Sequence, residues 1–166
     1  MKKTGFYFSS LNFLQSVLFI IIFIIETTLL LFENLINPQT LTFLKILVLL
    51  TLWWMPLVSG LANIFRNIYC LTLWLIACIL WTFVDFIPNF KFIPIIILAY
   101  LILMRFIFKI IYNKEPIFVV VARFETSSFS KIENRVSSRI DFIFSMLTFI
   151  FGVAISILII SKMNFS

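Results

Sequence analysis

Residues 11–32 read LNFLQSVLFIIIFIIETTLLLF. Apart from Asn12, Gln15, Ser16 and the triplet Glu26-Thr27-Thr28, every position is aliphatic or aromatic. About 20 apolar helical residues cover the roughly 30 Å hydrocarbon core of a bilayer. Lipid offers no hydrogen bonds, so the backbone of such a segment must satisfy itself as a helix. The stretch therefore predicts a transmembrane helix. Met1-Lys2-Lys3 ahead of it resembles the start of a secretory signal. The apolar run exceeds the roughly 7–15 residues of a signal core, however. It also runs into Glu33-Asn34-Leu35-Ile36 without a small-x-small cleavage site. A retained first span is expected.

The same pattern recurs at 41–61, 68–87, 92–112 and 140–160, leaving a loop at 113–139. No alternating apolar/polar segments repeat as a membrane β-barrel needs. The predicted fold is an all-α integral membrane protein, one polytopic bundle over residues 1–166. It has five transmembrane helices, or four if the second is re-entrant. That second span is the weak one, carrying Lys45 near one end and Pro56 and Gly60 near the other. Breaks are expected at Asn37-Pro38, at Ile87-Pro88-Asn89 and at Asn113-Lys114-Glu115-Pro116, where proline disfavours helix in the residue before it, and at 62–67, a short polar connector with Arg66 as its only charge. Ser130-Lys131-Ile132-Glu133 has the form of a capping box, so the fifth helix is expected to begin near Lys131 and enter the membrane near Ile140.

Composition excludes much else. The 166 residues are 63% hydrophobic and 12% charged, with a mean hydropathy of +1.16. Soluble domains carry about 25% charged residues, and disordered chains are poor in hydrophobic ones. Three glycines leave no Gly-rich phosphate loop, and the absence of histidine removes His-ligated metals, His-ligated haem and His-containing triads. No P-loop, G-x-S-x-G, H-E-x-x-H or C-x-x-C motif occurs. No cofactor or metal site and no catalytic residue is expected. The net charge of +6 falls mostly between apolar runs, which suits a membrane surface and not nucleic acid. Cys70 and Cys78 would lie about 12 Å apart along one helix, beyond disulfide reach, and read as packing residues.

Orientation follows from the positive charges. With the N-terminus inside, Lys2, Lys3, Arg66, Arg105, Lys109, Lys114, Arg123, Lys131, Arg135 and Arg139 fall inside, and Lys45, Lys91 and Lys162 outside, ten against three. The expectation is N-inside, C-outside, in a bacterial inner membrane or an organellar equivalent.

Intramembrane charges default to functional hypotheses. Glu26 and Lys45 fall at similar depth near the outer boundary, so an ion pair joining spans one and two is expected, as an ion site or as a register lock. Arg105 is expected to pair with Asp141 or to reach lipid phosphates. In span three, Cys70, Trp74, Cys78, Trp81 and Asp85 recur at helical spacing and define a candidate packing face. Trp53 and Trp54 are unusually deep for interfacial tryptophans. Ile117, Phe118, Val119, Val120 and Val121 form a β-branched run too short to span. It is expected to be a strand or interface-lying segment, and a candidate docking edge for a partner.

These features favour a non-catalytic multi-pass protein that binds other membrane proteins: a complex subunit, an assembly factor, or an immunity or exclusion protein. The expected partners are the bilayer and a membrane protein or further copies of the chain. The alternative is a small oligomeric transporter or channel with Glu26 and Lys45 as its polar site.

Overall fold

The computed structural model describes residues 6–58, 61–119, 129–130 and 135–162. It is an all-helical bundle: α1 (Phe13–Phe32), α2 (Pro38–Val58), α3 (Ile68–Phe83), α5 (Ile93–Tyr112) and α6 (Arg139–Lys162), with a single turn of helix, α4 (Pro88–Lys91), leading into α5. Four of the helices, α1, α2, α5 and α6, are long and apolar enough to cross a membrane. The protein is membrane-embedded.

The short helix is not the expected one. α2 runs unbroken through Pro56 to Val58. Pro56 costs α2 only one backbone hydrogen bond, close to its end. α3 has just 16 residues, about 24 Å of helix. It nevertheless traverses the bundle from the end that holds residues 6–12 to the end that holds the α1–α2 turn. Asn67 starts it, its side chain accepting from Tyr69 N. At its far end Val84 leaves helical geometry, and its N–H donates to Trp81 O.

The bundle has two unlike ends. At the hairpin end a 3-10 turn, Glu33–Leu35, joins α1 to α2. At the loop-rich end lie residues 6–12, the 3-10 turn Leu61–Arg66, residues 113–119 and a short antiparallel ladder of β1 (Phe129–Ser130) with β2 (Arg135–Val136). Because β2 occupies 135–136, the last helix begins at Arg139 and not near Lys131. Its cap is a box further along the chain. Ser138 Oγ accepts from Asp141 N, and Asp141 Oδ2 accepts from Ser138 N. Glu133 of the expected box lies outside the described residues.

The core sits where α2 meets its neighbours. α2 contacts α1, α3, α5 and α6, α1 also packs on α3, and α6 also packs on α5. Gly152 marks a close contact. A Cβ there would meet Leu57 Cδ2 at 2.7 Å and Tyr100 Cε1 at 3.3 Å, so α6 packs tightly on side chains of α2 and α5 at this position. One turn further along α6, Trp53 Nε1 donates to Ser156 Oγ at 2.9 Å, and Trp54 packs edge-on against Phe149 at 5.6 Å. The deep tryptophan pair is thus a seam between α2 and α6.

Candidate functional site

The polar side chains of the loop-rich end converge on one extended stretch, Glu115 to Val119. An extended backbone leaves N–H and C=O groups that must find partners when buried. Here side chains supply them. Ile117 N donates to Asp141 Oδ1 at 3.0 Å, and Val119 N to Ser145 Oγ at 3.0 Å. Asn63 takes both groups of Phe118, accepting from its N–H at 2.8 Å and donating to its carbonyl at 2.7 Å. Arg135 donates to the Glu115 carbonyl at 2.7 Å. Asp141 and Ser145 are four apart on α6, hence on one face, and so act as a two-rung ladder for the strap. Pro116, with no N–H to satisfy, fits between the bonded groups.

This placement overturns the docking-edge expectation for the described part of the run. Ile117, Phe118 and Val119 are buried in the chain's own bundle, so no partner strand can pair with them. Val120 and Val121 lie outside the described residues.

Arg105 does not meet Asp141. Its Nε and Nη2 both donate to Glu115 Oε2 at 2.9 Å, and Lys109, one turn on, holds Oε1 at 3.0 Å. Burial alone would raise the Glu115 pKa, but the Arg105 charge and the hydrogen bonds from Lys109 and Arg105 outweigh it and hold the carboxyl below its ordinary value of 4.5. Asp141, fully buried, is bound by Arg135 at 2.6 and 2.8 Å. The physical reason for the exchange is reach. Glu115 folds back under its own helix end, where Arg105 and Lys109 present adjacent turns of one face. Sequence spacing alone put Asp141 at the same depth but could not show that Arg135 returns to it across the β1–β2 ladder. Phe6 lies over the Arg105 guanidinium at 5.3 Å, and Tyr7 bonds both ways with the backbone of residues 66–68. The cavity left beside Arg105 is about 10 Å³, at the lower limit for one water.

The expected Glu26–Lys45 pair is also absent. Lys45 Nζ is held by Glu33 at 2.5 Å and donates to the Asp85 carbonyl. It therefore pins the α1–α2 turn to the α3–α4 connection. Glu33 opens the 3-10 turn after α1, and Lys45 reaches it from α2 along the hairpin. Glu26 points elsewhere. It is fully buried, and among the described residues neither carboxyl oxygen has a hydrogen-bond partner. Cys78 on α3 lies within electrostatic range of it.

Cys70, Trp74, Cys78 and Trp81 are all fully buried. Trp74 packs edge-on against Phe19 of α1 at 5.9 Å and against Phe65 at 5.3 Å, and Trp81 Nε1 donates to the Phe90 carbonyl at 3.3 Å. These four form a helix-packing face. Asp85 is not part of it. The helix ends at Phe83, the 3.6-residue period stops there, and the Asp85 side chain is 86% exposed beside Lys91.

Among the described residues, no three His, Cys, Asp or Glu side chains gather as metal ligands would. No family model matches the chain, and neither the curated proteins nor the solved structures contain a match.

Proposed function

We propose that this is a non-catalytic multi-pass membrane protein that works by contact with other membrane proteins, as a complex subunit, an assembly factor, or an immunity or exclusion protein. The observation that carries this reading is the engagement of its polar groups. Arg105, Lys109, Arg135, Glu115, Asp141, Asn63 and Ser145 bind one another or the strap, which leaves a substrate little to bind. The outward surfaces of the long helices are aromatic and aliphatic, as at Phe13, Leu14, Ile24, Leu31 and Ile110. In lipid, such surfaces associate with partner helices through dispersion and packing. The proposed setting is a bacterial inner membrane or its organellar counterpart, N-terminus inside. The loop-rich end faces the cytoplasmic or matrix side because it holds the larger share of lysine and arginine.

The test is purification of a C-terminally tagged chain from its native membrane in mild detergent, followed by mass spectrometry. One membrane protein at near-equal amount, recovering this chain in the reciprocal purification, is the expected result. A chain that runs alone or only with itself would overturn the subunit reading.

One observation favours the transport alternative: among the described residues, buried Glu26 has no hydrogen-bond partner. Lys45, the other half of that expected site, is bound at the hairpin end, so a polar path would rest on Glu26 alone. Ion or proton flux in proteoliposomes, abolished by Glu26→Gln, would establish it over the binding role.

A further inference from the structure

We propose that the groove between the end of α5 and the start of α6 binds an anionic phospholipid, with one acyl chain against Phe144 and the headgroup phosphate between Lys114 and Arg139. The groove has a volume of about 100 Å³ and is lined by Tyr112, Ile140, Ile143, Phe144 and Leu147. Its floor is rigid. The Phe144 ring sits 4.6 Å from that of Phe108, which in turn packs on Tyr112 at 4.7 Å. The walls, Ile143 and Leu147, are exposed and recur four apart on α6, so the groove follows the helix into the hydrocarbon.

Charge at its rim selects the occupant. Asn113 adopts a left-handed conformation, φ 49°, which ends α5 and turns the chain back on itself. Lys114 thereby returns over the helix end, its Nζ 5.9 Å from the Phe108 ring centroid and 3.5 Å from Ser138 Oγ. Arg139, next in sequence to Ser138, is exposed. Of the described acids nearby, Glu115 holds Arg105 and Lys109, and Asp141 holds Arg135. Among the described residues neither Lys114 nor Arg139 has an acidic partner. Two cations with no acidic partner among the described residues, over an apolar groove at the level where two spans leave the membrane, complement a phosphate that carries hydrocarbon. A soluble anion would leave the groove empty, and a neutral lipid would leave the cations unmatched.

The experiment places the full chain in nanodiscs of mixed phosphatidylcholine and phosphatidylglycerol and counts the lipids retained on release by native mass spectrometry. At about 1 kcal/mol per basic residue near a surface, two cations should favour phosphatidylglycerol roughly thirtyfold. The double variant K114Q/R139Q should keep the fold, since both side chains are peripheral, and lose that preference. Leu147→Trp should fill the groove and lose the retained lipid with the charges intact. Equal retention of the two lipids by the unaltered chain would overturn the proposal, as would an unchanged preference in K114Q/R139Q. Full retention in Leu147→Trp would overturn the acyl-chain half of it.

Discussion

Asp141→Ala should release the strap of residues 115–119. Asp141 is fully buried and accepts from Ile117 N, both terminal nitrogens of Arg135, and the Ser138 N–H and hydroxyl. Breaking a buried ion pair by removing one partner costs about 3–5 kcal/mol, and an orphaned buried N–H such as that of Ile117 adds about 1–3 kcal/mol. The Arg135 side chain is 24% exposed, so water recovers part of the first loss. A combined cost of about 4 kcal/mol is the working figure. If the strap opens locally, that figure raises the population of the open form about a thousandfold. Val119 is buried, so Val119→Cys serves as a reporter, with labelling by a maleimide assigned by peptide mass spectrometry. Cys70 and Cys78, fully buried in α3, report global unfolding in the same sample. The expected result is a labelling rate at position 119 about three orders of magnitude faster in the Asp141→Ala background, with a much smaller change at Cys70 and Cys78. Equal protection of position 119 with and without Asp141 would refute the claim that this carboxylate holds the strap.

Other expectations follow from single contacts. Glu26→Leu should raise the thermal midpoint for exposure of Cys70 and Cys78, since it replaces an unpartnered buried carboxyl with apolar bulk at a gain of about 1–3 kcal/mol; a lowered midpoint would show that Glu26 has a stabilising partner. Glu115 has a folded-state pKa below its ordinary 4.5, so its pairing stabilises the chain above that pH and is lost as pH falls through the folded value; titration from pH 7 to pH 3 should show a drop in midpoint that Glu115→Gln lacks. Gly152→Leu should lower the midpoint, because even a Cβ there would stand 2.7 Å from Leu57, whereas Gly152→Ala needs only a shift of the Leu57 side chain and gains about 1 kcal/mol of helix propensity. Trp53→Phe removes the bond to Ser156 and should cost about 1 kcal/mol; Ser156→Ala in the same background should add little.

The helices were legible because lipid leaves the backbone a single solution, and apolar runs at 11–32, 41–61, 92–112 and 140–160 announce it. The buried stripe of α3 was legible for the same reason, since periodicity holds wherever the helix does. It failed at Asp85, two residues past the helix end. The ion pairs were not legible. Depth along a helix can be counted from sequence, but how far a long side chain reaches along it cannot, and Lys45 extends to Glu33 in the turn instead of stopping at the depth of Glu26. The capping box was misplaced because two candidate pairs, Ser130 with Glu133 and Ser138 with Asp141, satisfy the same local rule. The short β1–β2 ladder, a tertiary feature, decides between them. The burial of Ile117–Val119 was hidden most thoroughly. A β-branched run reads as a strand seeking a strand, whereas here its partners are the side chains of Asn63, Asp141 and Ser145, which no pairing rule connects to it.

That substitution of side chains for a partner strand bears on how the molecule meets others. A strap satisfied by α6 and Asn63 needs nothing from outside, and at the hairpin end Lys45 closes the turn against Glu33 and the Asp85 carbonyl. Both ends are thus tied to themselves among the described residues, and the helix flanks are what remain. α1 and α6 each have a broad apolar outer face, with Ile20, Ile24 and Leu31 exposed on one and Ile143, Ile150 and Ile157 on the other. Gly152, the small residue that allows close helix approach, is already taken by Leu57 and Tyr100. An incoming helix would therefore meet bulky side chains rather than a small-residue notch. Such contacts rest on dispersion over a large area and not on close backbone approach, so single alanine substitutions along α1 or α6 should each weaken partner recovery only slightly. A multiple substitution along one face should abolish it. A single position that abolished recovery alone would point instead to a pocketed anchor.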